Sequence, residues 1–472
     1  MAKIQNPEEI NAYISELVKK AKIAQKEFER NYTTQRSVDE VVRAAGKAVV
    51  DNGVALAQDA VAETSIGNIE GKVFKLTSIA LCTWNYMKGK KSVGFLDDDP
   101  AEPGVRFMAK PLGVIGCVMP STNPIATVVG NTMNALKCRN AVIIAPHPTS
   151  ARASKQTVDF IRAALKEIGA PVDLVQCIGT EEASIAATSE LLQQCDVNIA
   201  TGGAGMVKGV YSAGKPAFGV GQGNCQVLID ESWADMNMTC ATAIGNRITD
   251  MGVPCTGEQT MILPASMEEK YLEAMKASGA YIIEDPKVID KLREVVFPDG
   301  RNINRGIVGR SPQQIGDMIG VDVPAEIKVL CLKNQARGKE DVLCKEILCP
   351  IIRYTTYTDF KDGVEVALAN LYYEGAGHSS SIWSTNQENI DYAANLIPVG
   401  RFHVNQATVG GANTAPYSIT IGCGSWGNNS ISENLQYYHL MNKTRVTYPM
   451  ANLRMPEMSD WDDFEVYNIV QE

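Results

Sequence analysis

The sequence predicts an α/β protein built on parallel sheets, and three observations predict it. Apolar runs without alternation recur from Lys110 onward: GVIGCVM (113–119), AVIIA (141–145), VDLVQCI (172–178), DVNIA (196–200) and QVLID (226–230). Such runs suit strands buried on both faces, whereas a half-exposed strand alternates. Helical stretches separate them at the spacing of βαβ units. Two of the runs end in turns of unusual chemistry, PSTNP (120–124) and TGGAG (201–205), at the strand end where parallel sheets bind ligands.

The chain opens on an amphipathic helix. Asn6 is placed to cap it, Pro7 suits its first turn, and Ile10, Ile14, Leu17, Ala21 and Ala24 form one stripe. A helix of this kind packs on its domain or serves as an address tag for a bacterial protein compartment; the charged segment that continues it favours packing. Next, SVGFLDD and GVRFMAK flank the turn-rich DPAEPG, which predicts a hairpin near 93–110 suited to an oligomerisation arm. A second strand–helix series begins near Glu231 and runs through residue 400. Within it, TMILP leads into Ser266-Met267-Glu268-Glu269, a capping-box pattern. The C-terminal part is rich in Gly, Asn and Ser, then gives the strand-like TRVTYPM (444–450) and an acidic tail.

Composition excludes several functions. With 44 basic and 54 acidic residues the net charge is -10, the wrong sign for binding nucleic acid or an anionic membrane. The 12 cysteines lie scattered in apolar stretches without a C-x-x-C pair, and Cys344 and Cys349 have no His at zinc spacing. They read as reduced thiols in a reducing compartment, and no metal is expected. The start, MAKIQNPEEI, lacks the apolar core of a signal peptide, and no apolar run approaches the ~18 residues of a membrane span. A cytoplasmic protein is expected.

Three local features carry chemistry. Gly252-Val253-Pro254-Cys255-Thr256-Gly257 sets one cysteine in a turn, which is expected to expose the sulfur and to favour thiolate and a developing oxyanion. Asn123, held between Thr122 and Pro124, offers a fixed amide donor or a helix cap. Thr201, Gly202, Gly203, Ala204 and Gly205 open a helix after a strand, where backbone can approach a pyrophosphate. The turn is not G-x-G-x-x-G, so alone it says little.

Together these blocks resemble the aldehyde dehydrogenase superfamily, and within it the coenzyme A-acylating branch. The resemblance is carried by KPLGVIGCVMPSTNP (110–124), NAVIIAPHP (140–148), ATGGAGMVKGVYSAGKPAFGVGQGN (200–224), GVPCTGEQ (252–259), CKEILCPI (344–351), EGAGHSS (374–380) and GCGSWGNNSISEN (422–434). It is nearest to acylating succinate-semialdehyde dehydrogenases and to the aldehyde half of bifunctional alcohol/aldehyde dehydrogenases. At 472 residues, no attached alcohol dehydrogenase is expected. The resemblance implies two Rossmann-like domains: residues 1–230 with 405–472 for the cofactor, including an arm from the hairpin and the C-terminal strand, and 231–404 for catalysis. It implies a homodimer or a dimer of dimers.

It further implies Cys255 as nucleophile and Asn123, with the Cys255 N–H, as oxyanion donor. Thr201 to Gly205 would receive the pyrophosphate, Glu346 the nicotinamide ribose, and His147, Pro148 and Ser150 the adenosine ribose. Hydrolytic relatives commonly carry Lys at His147, and NAD-preferring ones Glu near Ser150; neither stands here, so NAD and NADP are both compatible, with Arg152 available to a 2′-phosphate. His378 would line the pocket or the CoA channel. An anionic aldehyde would need a buried Arg or Lys near the pocket, for which Arg247 and Arg401 are the candidates. Ile79 stands where the succinate-semialdehyde group has a Lys, a departure that speaks against a carboxylate-bearing substrate.

One departure bears on the reaction. Hydrolytic members carry a Glu in the segment that matches Phe218 to Gly223, and this sequence has none. A thioester without a general base resists water but yields to a thiolate. The expected reaction is therefore reversible conversion of aldehyde, CoA and NAD(P)+ to acyl-CoA, with succinic semialdehyde as substrate and acetaldehyde or sulfoacetaldehyde as alternatives. The competing readings are a CoA-independent hydrolytic enzyme and an inert structural protein of the same fold.

Overall fold

Apolar runs of four or five residues have no polar face to offer water and must be covered on both sides. The computed structural model, which describes residues 6–96, 103–409 and 418–462, sorts these runs into two parallel sheets. After β1 (Val105–Pro111) come β2 (Val114–Val118), β3 (Ala141–Ala145), β4 (Val175–Cys177), β5 (Val197–Thr201) and β6 (Ala217–Val220), ordered β4-β3-β2-β5-β6. The order reverses between β2 and β5, so a crevice opens at their C-terminal ends, where Asn123 and the glycine turn lie.

The second sheet contains β7 (Cys225–Ile229), β8 (Glu258–Pro264), β9 (Ala280–Ile283), β10 (Val329–Lys333), β11 (Ile351–Tyr357), β12 (Gly377–Trp383) and β13 (Val399–Val404). Their order is β13-β12-β7-β8-β11-β10-β9. This corrects the domain boundary. QVLID was expected to end the first unit at residue 230, yet β7 lies between β12 and β8 of the second sheet. A wholly apolar strand carries no mark of the sheet it will join; that is settled by its neighbours. The chain passes from one sheet to the other in the loop between β6 and β7.

Leu435, Tyr437, Leu440 and Met441 rejoin the core around the first sheet. The following strand, β14 (Met441–Thr447), begins three residues before TRVTYPM and pairs antiparallel with β1, from Val105 opposite Thr447 to Pro111 opposite Met441. Backbone bonds from Leu96 to Phe107 and from Ala109 to Gly94 make the base of the hairpin. Its segment 97–102 lies outside the described residues, as does the acidic tail from residue 463.

The N-terminal helix Pro7–Asn31 is capped by Asn6, whose side chain accepts the Glu8 N–H. Ile10, Ile14, Val18, Ala21 and Phe28 are buried, and Asn11 bonds Glu190, so the helix is packed on the first unit along its length. Ser266 does not cap the helix Glu268–Ala277; its hydroxyl turns to Glu231, and a short 3-10 turn leads into the helix instead. Among the described residues, no helix is long and apolar enough to cross a membrane. Ten of the 12 cysteines are buried, and only Cys82 and Cys255 are partly exposed.

The helix Ile69–Met87 of the first unit meets the turn before Cys255 with no space between them. A Cβ on Gly71 would lie 2.6 Å from both Cα and N of Asp250. Backbone cannot swing aside as a side chain can, so Gly71→Ala is expected to destabilise the protein by about 1–3 kcal/mol. The midpoint of denaturant unfolding measures this, and an unchanged midpoint would show that the two segments move apart freely.

Candidate active site

The turn that presents Cys255 is held in an unusual backbone. Asp250 and Met251 have φ of 46° and 56°, left-handed values that non-glycine residues rarely adopt, and Gly252 follows at 74°. Gly252 is required here, because a Cβ would come within 2.5 Å of the Cys349 carbonyl carbon. Cys255 is partly exposed, but the surroundings of its sulfur oppose charge. Desolvation pushes the thiol up to about 12, with Glu346 and Cys423 adding to the rise and Arg401 pulling against it. The expectation that the turn favours thiolate is thus corrected: lost hydration outweighs the backbone dipoles.

Beside the thiol stands a base. His378, the second residue of β12, is fully buried and places Nε2 3.1 Å from Cys255 Sγ. Desolvation first, and Arg401 second, hold its imidazole well below the ordinary histidine value, so it is neutral. A neutral imidazole facing a neutral thiol can accept the proton as sulfur attacks, without a standing ion pair.

Asn123 follows β2 in a cleft lined by Lys72, Lys75, Thr122 and Pro124. Its Oδ1 accepts a bond from Lys75 Nζ at 2.5 Å. Lys75 also pairs with Asp250 Oδ2, which Lys72 reaches at 3.2 Å. The Cys255 N–H donates to no backbone carbonyl among the described residues. Two donors, the Asn123 amide and this N–H, thus belong to segments tied together through Lys75 and Asp250.

The cofactor candidates lie around the crevice. Thr201 ends β5, and the helix Ala204–Tyr211 follows without a side-chain cap. Thr201 Oγ1 is buried without a partner, and a Cβ on Gly203 or Gly205 would meet nothing within 4 Å. An orphan hydroxyl and open backbone fit the pyrophosphate of a dinucleotide. On the next turn, His147 Nδ1 accepts the Thr149 N–H at 3.2 Å, Pro148 begins the 3-10 turn, and Ser150 is buried at its end. His147 therefore shapes this loop; desolvation and then Arg305 hold it below the usual histidine value. The carboxylate missing near Ser150 in the sequence arrives from elsewhere: Glu63 accepts the N–H groups of Arg152 and Ala153 at 2.9 and 2.8 Å. Local sequence gave no signal of it.

Glu346 is buried and accepts the Gly223 N–H at 3.0 Å. Desolvation, and then Glu374, push it up to about 8, so it is mainly protonated at neutral pH. A Cβ on Gly223 would lie 2.2 Å from the Cys255 carbonyl oxygen, which sets the segment without a carboxylate directly against the cysteine turn. The nearby Glu258 is engaged through both oxygens, by Thr408 and Asn246.

The two arginine candidates are structural. Arg247 is fully buried and bonds the carbonyls of Ile347 and Ile351. Arg401 clamps the carbonyls of Gly377, His378 and Gly422 together with Ser379. Arg401 has no donor left to face a substrate, although its charge still acts on the thiol. Arg247 keeps Nη1 without a hydrogen-bond partner, but that nitrogen is buried. Ile79 is buried in the core, but Lys75, one turn earlier on the same helix, brings a cation to Asn123.

With the other partly exposed thiol removed by Cys82→Ser, alkylation reports the state of Cys255. Without cofactor, its rate is expected to keep rising from about pH 7 to about pH 10, with no plateau, because only thiolate reacts. A plateau near neutrality would reveal a preformed thiolate–imidazolium pair and overturn this electrostatic account.

Comparison with known proteins shows the family. The aldehyde dehydrogenase family model matches residues 3–289 and 331–440. An acetylating succinate-semialdehyde dehydrogenase of Clostridium kluyveri is 44% identical over 451 residues, covering 95% of this chain and 98% of that protein. A sulfoacetaldehyde dehydrogenase of an Acholeplasma species is 37% identical over 441 residues, covering 91% and 90%. The crystal structure of an acetylating aldehyde dehydrogenase from Geobacillus thermoglucosidasius superposes with a TM-score of 0.90 at 33% identity, covering 96% of this chain and all of that one. The chain belongs to the aldehyde dehydrogenase family, as an acylating, NAD(P)-dependent oxidoreductase that uses coenzyme A.

Proposed function

We propose that the enzyme oxidises succinic semialdehyde reversibly to succinyl-CoA, with Cys255 as nucleophile and His378 as its base. The observation that carries the roles is the 3.1 Å contact between Sγ and a neutral Nε2, set against a 218–223 segment without a carboxylate. The substrate rests on the most similar relative named above, and on the second, which also acts on an aldehyde bearing an anion.

Sulfur bonds to the aldehyde carbon while its proton passes to His378. Asn123 Nδ2 and the Cys255 N–H hold the oxyanion. When bound, the nicotinamide supplies the hydride acceptor, and its pyrophosphate would rest on Thr201, Gly202, Gly203, Ala204 and Gly205. Glu346 would meet the nicotinamide ribose, and His147, Pro148 and Ser150 the adenosine ribose. Loss of hydride leaves a thioester on Cys255. Water there meets Glu346, which is mainly protonated, and Glu258, whose two oxygens are already taken by Thr408 and Asn246, so the thioester waits. His378 yields the first proton to solvent. The CoA thiol then attacks the acyl carbon and passes its own proton to His378, which returns it to the Cys255 sulfur as that leaves, and acyl-CoA is released. The ribbon of β1 and β14 is the proposed subunit contact of a dimer; sedimentation as a monomer would exclude it.

CoA-dependent NAD(P)H formation across succinic semialdehyde, sulfoacetaldehyde, acetaldehyde and propionaldehyde tests the substrate. The highest kcat/KM is expected for succinic semialdehyde, and no preference for an anionic aldehyde would refute that choice. Without CoA, one equivalent of reduced cofactor per site should form and then stop; continued turnover would favour the hydrolytic reading. Asn123→Ala is expected to lower kcat by about 10²–10³ in a folded protein. Near-normal turnover would remove Asn123 from the site.

A further inference from the structure

An oxyanion donor drawn from an asparagine must present the right end of a nearly symmetric amide. Rotation by half a turn would replace the donor Nδ2 with the acceptor Oδ1 and place a partial negative charge against the developing oxyanion. Something has to forbid that rotation. Thr122 cannot do so: its hydroxyl both donates and accepts, and its contact with Asn123 Nδ2 is 3.5 Å, at the limit of a hydrogen bond.

Lys75 can. Its ammonium carries three donors and no acceptor, so at 2.5 Å it tolerates only Oδ1 of Asn123. Its own freedom is removed by a second bond, to Asp250 Oδ2. That carboxylate is fully buried, and its other oxygen accepts the Asn68 N–H at 2.9 Å. Asp250 also lies five residues before Cys255, in the left-handed turn that delivers the nucleophile. One side chain therefore contacts both halves of the reacting pair, the amide directly and the thiol through the backbone of its turn.

We propose that Lys75 is a positioning residue of the oxyanion site, fixing the Asn123 amide with Nδ2 toward the aldehyde oxygen and coupling it through Asp250 to the cysteine turn. This rests on the reading of Cys255 and Asn123 as the reacting pair. An amide whose carbonyl already accepts from a cation is also polarised, so its N–H is the stronger donor.

The test is a double-mutant cycle on the full-length enzyme, with NAD(P)+ affinity and thermal unfolding measured beside kcat and KM. Lys75→Met keeps the length of the side chain and removes the donors; it is expected to lower kcat about ten- to a hundredfold with cofactor affinity unchanged. Lys75→Arg, which restores donors, should recover most of that loss, and Lys75→Gln, which restores N–H donors without charge, a smaller part. In the Asn123→Ala background, Lys75→Met should cost almost nothing more, because the group it positions is gone. An equal loss from Lys75→Met in both backgrounds would overturn the proposal, and so would a failure of both Arg and Gln to recover activity in folded protein. Undiminished kcat in Asn123→Ala alone would instead strike the oxyanion reading beneath it.

Discussion

A buried carboxylate with too many claims on it holds this site together. Asp250 takes Lys72, Lys75 and the Asn68 N–H, all from the first unit, while its own backbone lies in the turn leading to Cys255 in the second. Removing one partner of a buried ion pair commonly costs about 3–5 kcal/mol, because the remaining charge is stranded. The crowding is visible in Lys72, which desolvation and the neighbouring Lys75 pull down to about 8 against the attraction of Asp250. The interface between the two sheets is thus pinned by charge at the one place where the nucleophile and the amide must keep their distance.

Around that pin the polar groups are kept neutral. Burial raises the Cys255 thiol and the Glu346 carboxyl and lowers the His378 imidazole, and each shift disfavours the ionised form. A neutral site costs little to desolvate and does not present a standing thiolate to oxidants. Charge appears only when an aldehyde carbon is there to receive the sulfur. The burial that keeps the thiol neutral also keeps Glu346 protonated and so denies water a carboxylate base there. Thrift toward the acyl group and protection of the thiol share that physical origin.

The sequence made some of this legible and concealed the rest. AVIIA became β3 over the same five residues, because an unbroken apolar run between turns has few other fates. Cys255 stood out among 12 cysteines by its turn, and Asn123 by its place after a buried strand. What stayed hidden depends on distant partners. Lys75 and Asp250 are 175 positions apart and look like ordinary surface charges on a helix and a loop; the spacing of Lys72 and Lys75 on one helical face was the only hint. Arg247 and Arg401 misled for the opposite reason. They lie near the right segments, but carbonyls take up the donors of Arg401, and Arg247 is buried against the carbonyls of Ile347 and Ile351 with one nitrogen unpartnered. A sequence does not show how many carbonyls a fold leaves unpaired. Glu63 makes the same point, since it caps a helix that begins 88 residues after it.

Gly223 touches the Cys255 carbonyl so closely that no side chain fits there, and Gly219 is hemmed in by Val207 and Tyr211. Gly221 is different: a Cβ would meet Cys423 Sγ at 3.7 Å and the Gly427 carbonyl at 3.9 Å, ordinary contact distances. Of the three glycines in this segment, then, only one can be mutated without moving the nucleophile's backbone or its neighbours. An ancestor or a designer wishing to exchange thiol transfer for hydrolysis would have to place the carboxylate at Gly221 or at a position that already carries a side chain, Phe218, Val220 or Gln222; the closeness of the backbone at Gly219 and Gly223 closes those two.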